Sequence, residues 1–210
     1  MPSPTPSLDP TLPLAVVVLA GGEGRRLGGP DKPSVRVGAH TLLDHVLLGC
    51  PDGASIVVVG PPRPTTRPVR WTREDPPGGG PVAGLVAGLA VVSEPLVLVL
   101  AADLPNVAAA VPGLVAAARG AVANGRDGAW AVDSTGRPQP LVSCLATAVV
   151  RRELPVRSRG AALHRVLSRL RLDPVEAPEG SVTDVDTEAD LVRVRHDRPH
   201  PAHTTPEEMP

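Results

Sequence analysis

Val16-Val17-Val18-Leu19-Ala20-Gly21-Gly22-Glu23-Gly24-Arg25-Arg26-Leu27-Gly28-Gly29-Pro30-Asp31-Lys32 begins as an unbroken β-branched run, the pattern of a strand buried on both faces. It then breaks into a loop in which four of the eight residues after Ala20 are glycine. Glycine accepts positive φ and lets a ligand approach the backbone closely, so that successive N–H groups can point at one anion. Arg25, Arg26 and Lys32 add positive charge around the same loop. A buried strand feeding a cationic, glycine-rich loop is suited to holding phosphate.

Two common phosphate loops do not fit. A P-loop needs Gly-Lys followed by Ser or Thr, whereas Lys32 lies between Asp31 and Pro33. A dinucleotide fingerprint needs G-x-G-x-x-G and an acidic residue at the end of the second strand. Gly24 and Gly28 are one residue too far apart, and the second predicted strand, Ser55–Val59, ends in Gly60-Pro61-Pro62 without a carboxylate.

The chain of 210 residues suits a single domain. It is 42% hydrophobic but only 1% aromatic, with no Phe or Tyr, so the core must be packed from Val, Leu and Ala. The formal net charge of -1 argues against a nucleic-acid partner. Lys32 is the only lysine in a chain that otherwise uses arginine, and it closes the glycine loop. Cys50 and Cys144 are too few for a disulfide framework or a cysteine-rich metal site and are expected as buried thiols. The apolar run 14–20 is too short to span a bilayer and no basic segment precedes it, so neither a membrane helix nor a signal peptide is expected, and the compartment is read as cytoplasmic.

Residues 1–13 and 197–210, rich in Pro with Ser, Thr, His or Glu, read as disordered tails around one domain at 14–196. Within it, residues 34–37 suggest a short strand turned by Gly38. Thr41 and Asp44 form a capping-box pattern at a helix start, with His45 expected partly exposed. Further strands are predicted at 69–71, 95–101, 128–132, 140–145 and near Val175, and helices at 82–92, 107–118, 161–170 and 187–195. Strands alternating with helices predict a single three-layer, Rossmann-like α/β domain with a mainly parallel sheet. Ligands in such sheets sit at the carboxyl ends of the strands, where loop 21–32, loop 73–80 and Asp103 all fall.

Asp103 directly follows a hydrophobic strand and could reach into that crevice as a Mg²⁺ ligand, or cap the helix that follows. Asp75 could meet a nucleotide or merely form a turn before Pro76. Asp184 and Asp186 point the same way if extended, and could complete the metal site or cap the last helix. Nucleotidyl transfer accounts for the set: a phosphate oxygen attacks the α-phosphorus of a nucleoside triphosphate and pyrophosphate leaves. The protein supplies position and charge neutralisation, with Arg26 and Lys32 offsetting charge on the leaving group.

The run L-A-G-G-x-x-x-R-L-G-G-x-D-K resembles the signature loop of the molybdenum cofactor guanylyltransferase family within the nucleotidyltransferases. The likeness continues in Gly80-Pro81-Val82-Ala83-Gly84 (G-P-L-A-G), Ala102-Asp103-Leu104-Pro105 (C-D-x-P), Gln139-Pro140-Leu141 (H/Q-P-L) and Asp186-Thr187-Glu188-Ala189-Asp190-Leu191 (N-T-P-E-D-L), in the family's order. The resemblance implies transfer of GMP from GTP to a molybdopterin-type acceptor with Mg²⁺. It implies nucleotide contacts from Leu19, Ala20, Gly21, Gly22, Lys32, Asp75 and Asp103, metal binding by Asp103 with Asp184 and Asp186, and contact with other cofactor-biosynthesis proteins. The chain departs from the family in Leu27 for Met, in Gly60-Pro61-Pro62 where a polar residue usually follows strand two, and in Asp184 and Asp186 for asparagines. Related cytidylyltransferases carry Asp at the last two positions, whereas Gly22 favours guanine, since CTP users tend to have Ala there. The alternatives are a cytidylyltransferase, a sugar-phosphate nucleotidyltransferase, and a noncatalytic nucleotide-binding module.

Overall fold

In the computed structural model the described residues are 12–21 and 31–196. The first strand, β1 (Leu14–Leu19), lies inside a seven-stranded sheet, between β4 (Ser55–Val59) and β6 (Leu96–Ala101) and parallel to both. Val16 and Val18 face one apolar layer while Ala15 and Val17 face the other, which is why the run has no polar alternation. The sheet continues on one side to β5 (Arg70–Thr72). On the other it continues through β8 (Pro138–Ala146) and β7 (Gly128–Val132) to β9 (Leu172–Glu176). Only β8 runs antiparallel to its neighbours, so the sheet is mainly parallel as expected.

Helices cover both faces. On one side α1 (Leu42–Leu48) and α3 (Val111–Ala123) bury Leu43, Val46, Leu47, Leu114 and Val115. On the other, α2 (Pro81–Leu89), α4 (Thr147–Glu153) and α5 (Leu163–Leu167) bury Leu85, Leu89, Val150 and Leu167. Gly88 lets α2 press onto the sheet, since a Cβ there would lie 2.6 Å from Val17 Cγ1. The core is built of Val, Leu and Ala, and Cys50 and Cys144 are buried free thiols whose pKa burial pushes up to about 12.

Several elements differ from the sequence expectation. The short strand is β2 (Arg36–Val37), hairpinned to β3 (His40–Thr41) and preceded by a 3-10 turn at Lys32–Ser34, for which Pro33 is preset. The expected helix at 107–118 is a 3-10 turn at Val107–Ala109 followed by α3, because Pro112 suits only a first turn. The helix at 161–170 shortens to α5. No sequence signal marks α4, because it follows β8 without a loop. Leu12 and Pro13, assigned to the tail, belong to the fold: Arg119 Nη2 donates to Leu12 O at 3.2 Å and Leu96 N to Pro13 O at 3.4 Å. Residues 1–11 and 197–210 lie outside the described residues. Among the described residues no helix is long and apolar enough to cross a membrane.

His45 is buried rather than partly exposed, with Nε2 2.9 Å from Val37 O and its ring edge-on to His40. The β2–β3 hairpin folds back over α1 and covers it. The capping box forms as read: Asp44 N donates to Thr41 Oγ1 at 3.1 Å and Thr41 N to Asp44 Oδ2 at 3.2 Å. Asp44 Oδ1 also accepts from Thr66 N at 2.8 Å, so one carboxylate ties α1 to the loop after β4. Burial works against its charge, but the bonds from Thr41 and Thr66 outweigh it and hold Asp44 below the usual carboxylate range. Asp44→Ala is expected to cost about 2 kcal/mol, or about 4–8 °C in Tm. A lowered pKa means that this contribution is present above the ordinary carboxylate value and is lost as pH falls through the folded one. Calorimetry should therefore find wild type and variant well separated at pH 7 and converging in acid.

Candidate active site

The order β5-β4-β1-β6-β8 sends the chain to one side of the sheet after β1 and to the other after β6. A parallel α/β sheet opens a crevice at such a reversal, beyond the carboxyl ends of the strands. Backbone bonds knit those ends together here. Ala20 N donates to Val59 O at 2.9 Å, Ala102 N to Leu19 O at 3.0 Å, and Val185 N to Asp103 O at 3.1 Å. A cleft of about 1530 Å³ opens above them.

Asp103 lines this cleft and pairs with Lys32, which with Asp186 stands beside the lining residues and not among them. Lys32 Nζ is 2.6 Å from Asp103 Oδ2 and 2.6 Å from Asp186 Oδ1. Burial lowers the Lys32 pKa, but its hydrogen bonds to the two carboxylates and their charges prevail and raise it, so the ammonium is held charged. Asp184 lines the cleft nearby, and its pKa is raised, first by burial and then by the charges of Asp186 and Asp103. Two carboxylates thus share one ammonium, with a third carboxylate close enough to feel their charge.

Neither capping alternative survives. The N-cap of α6 (Glu188–His196) is provided by Thr187 and Asp190: Asp190 N donates to Thr187 Oγ1 at 3.2 Å, and Thr187 N to Asp190 Oδ2 at 2.9 Å. This leaves Asp186 for Lys32 and Asp184 for the cleft. Asp103 caps nothing downstream, since Asn106 precedes the 3-10 turn and α3 starts from Ala110.

Of the other expected site residues, Leu19, Ala20 and Gly21 line the cleft, with Ala20 buried and Gly21 exposed. Gly22 and Arg26 lie outside the described residues. Asp75 is exposed and does not line the cleft; its neighbour Glu74 does. Glu74 Oε1 accepts from Gly78 N at 3.1 Å, and a Cβ on Gly21 would lie 3.7 Å from the same oxygen. The far wall is the tip of the β7–β8 hairpin, where Asp133, Arg137, Gln139 and Leu141 line the cleft. Gln139 belongs to a motif visible in the sequence, whereas Arg63 and Asp133 belong to none. A cation four residues past the carboxyl end of β4 is the available signal for Arg63.

Among the described residues no group of three or more His, Cys, Asp or Glu side chains is arranged to hold a metal ion. Asp103 and Asp186 converge instead on Lys32.

The family model for the MobA-like NTP transferase domain matches residues 16–175. A molybdenum cofactor guanylyltransferase of Pseudomonas entomophila is 32% identical over 188 residues, covering 84% of this chain and 93% of that protein. A probable molybdenum cofactor guanylyltransferase of Mycobacterium tuberculosis is 40% identical over 103 residues, and there the chain spans about half of the relative's length, 51%. Two solved structures share the fold. Molybdopterin-guanine dinucleotide biosynthesis protein A from Archaeoglobus fulgidus has a TM-score of 0.65 at 22% identity, covering 87% of this chain and 97% of its own. The 2-C-methyl-D-erythritol 4-phosphate cytidylyltransferase of Thermus thermophilus has a TM-score of 0.63 at 21% identity, covering 88% and 98%. Since the family match runs from within β1 to within β9 and the Pseudomonas relative aligns over most of both proteins, the chain belongs to the MobA-like NTP transferase family.

Proposed function

We propose that the protein is a nucleotidyltransferase that joins GMP from GTP to a molybdopterin-type acceptor. An acceptor phosphate oxygen forms the new bond to the α-phosphorus, the bond to the β-phosphate's bridging oxygen breaks, and pyrophosphate leaves with that electron pair. The observation that carries the reading is the meeting of Lys32, Asp103 and Asp186 at the strand ends, in a chain whose family transfers nucleotides. Lys32 binds phosphate and offsets charge on the leaving group, and Arg26 does the same from the loop. Leu19, Ala20, Gly21 and Gly22 form the floor for the base, with Asp103 as a further nucleotide contact; in loop 73–80 Glu74, not Asp75, lines the cleft.

Asp103 and Asp186 bracket the Lys32 ammonium, and burial and the charges of Asp186 and Asp103 raise the Asp184 pKa, so carboxylate charge exceeds cationic charge here and a divalent cation would offset it. Asp103 with Asp184 and Asp186 would hold Mg²⁺. Bound there, it would supply neutralisation of phosphate charge. The cytoplasm, with other cofactor-biosynthesis proteins to receive the product, is the proposed setting.

The cytidylyltransferase reading is favoured by Asp184 and Asp186, and base choice separates the two. Backbone groups buried by the base must be satisfied by it. One polar group left without its partner by the wrong base costs about 1–3 kcal/mol, a discrimination of about 5- to 150-fold. Incubation with each NTP, Mg²⁺ and molybdopterin should give dinucleotide and pyrophosphate from GTP in preference to CTP, and Gly22→Ala should narrow the gap by weakening GTP. A wild-type preference for CTP overturns the guanylyl assignment. Binding without turnover would leave only a noncatalytic module.

A further inference from the structure

Arg63 lies in Gly60-Pro61-Pro62-Arg63-Pro64, just past β4, and lines the cleft on the side of Gly60 and Pro61. Its side chain is only 9% exposed. The guanidinium lies over the Trp71 ring, with Cζ 5.9 Å from the centroid, and Nη1 is 2.7 Å from Asp31 Oδ1. Trp71 on one face and Asp31 at one edge fix its orientation. Yet Nε and Nη1 are closed off from solvent and neither makes a hydrogen bond, the contact with Asp31 being an ion pair without donor alignment.

Buried polar groups are normally hydrogen-bonded, and a buried charged donor left unpaired is costly. Burial also lowers the Arg63 pKa, and the Asp31 charge only partly offsets it. The half-buried Arg67, by contrast, spends its guanidinium on backbone acceptors: Nη1 donates to Leu47 O at 2.9 Å and to Cys50 O at 2.7 Å. A planar fork with two unsatisfied donors, held by Asp31 and Trp71 in the wall of a binding cleft, lacks an acceptor that the chain does not supply.

We propose that Arg63 is a nucleotide-contacting residue, held in the cleft wall by Asp31 and Trp71, whose guanidinium donates to an acceptor oxygen of the bound nucleoside triphosphate. The inference rests on the nucleotidyltransferase reading above. The shared chemistry is an oxygen acceptor for a planar cation, on the phosphate chain or on the purine edge, where an arginine fork matches guanine O6 and N7. Asp31 directly precedes Lys32, so the same contact would couple nucleotide binding to the segment that delivers Lys32.

The test is calorimetric titration of wild type, Arg63→Met and Arg63→Lys with GTP, with guanosine and with inorganic triphosphate, alongside Tm. Arg63→Met keeps the apolar stem over Trp71 and should raise the Kd for GTP about 10- to 150-fold, the scale of losing a charged hydrogen bond. Arg63→Lys keeps the pairing with Asp31 but not the fork, and should weaken GTP by about tenfold at near-native Tm. A loss confined to triphosphate assigns the phosphate chain, and one confined to guanosine assigns the base edge. If Arg63→Met lowers Tm and leaves every Kd unchanged, Arg63 only braces Asp31 and the proposal falls. Should Arg63→Met not fold, an unchanged GTP affinity in Arg63→Lys overturns it equally. A wild type that binds no nucleotide overturns the nucleotidyltransferase reading itself, and with it this inference.

Discussion

Lys32→Ala is expected to cut nucleotidyl transfer by about 10²- to 10³-fold, the loss seen when one preorganised charge-stabilising donor is removed. The ammonium is already oriented in the free protein, by two carboxylates at 2.6 Å. The variant should also carry a pH signature that a surface lysine would not. In wild type the raised Lys32 pKa means that its stabilising contribution is complete below the ordinary lysine value and is lost only as pH rises through the higher folded one. Without the ammonium, which opposes the rise, the Asp184 pKa, already raised by burial and by the charges of Asp186 and Asp103, goes up further, and protonation of Asp184 relieves part of the repulsion. Lys32→Ala should therefore be less stable than wild type at pH 7.5 and close part of that gap at pH 5. Calorimetry at the two pH values and a pyrophosphate-release assay check both parts. Near-normal turnover in a folded variant would remove Lys32 from the machinery.

Asp103→Asn should reduce transfer by about the same 10²- to 10³-fold with little loss of Tm, since the amide keeps the size of the side chain and Asp103 caps no helix. Lys32 keeps Asp186 as a partner in this variant, which limits the structural effect. The discriminating measurement is the Mg²⁺ titration of activity. If Asp103 is a metal ligand, half-saturation moves to higher Mg²⁺. If Asp103 serves only as counter-ion to Lys32, activity falls while the Mg²⁺ curve stays in place. A variant with wild-type turnover would show that Asp103 does neither.

Local pattern makes the frame of this molecule readable. Val16 to Val18 could only be a strand buried on both faces, and Thr41 with Asp44 announces α1 at the observed boundary. The site is readable as far as its neighbourhood. Lys32 and Asp103 are 71 residues apart, and strand-end logic brings them to one crevice, but no local rule says that they touch. The same limit explains Asp75. Composition places an acidic group in that loop, whereas the direction of one turn decides that Glu74 faces the cleft. Asp184 and Asp186 read equally as helix caps although Thr187 and Asp190 repeat the spacing of Thr41 and Asp44, a comparison within the sequence that frees both carboxylates. His45 needs the hairpin folded over it, which is a tertiary event.

The bond from Val185 N to the Asp103 carbonyl, with Asp186 beside it on Lys32, has a consequence for how the protein is made. Synthesis delivers the glycine loop and Lys32 first, then Asp103, and Asp186 only 154 residues after Lys32. At about 5–20 residues per second that interval is roughly 8 to 30 seconds, and N-terminal parts of a chain can begin to fold while they wait. During this time β1, β4 and β6 can already be paired, but Lys32 has a single carboxylate partner and the backbone behind Asp103 is untied. The nascent chain therefore lacks the second carboxylate on Lys32 and the tie behind Asp103 until residues 185 and 186 have left the ribosome, and a chain truncated before residue 185 would carry a sheet with an unfinished cleft.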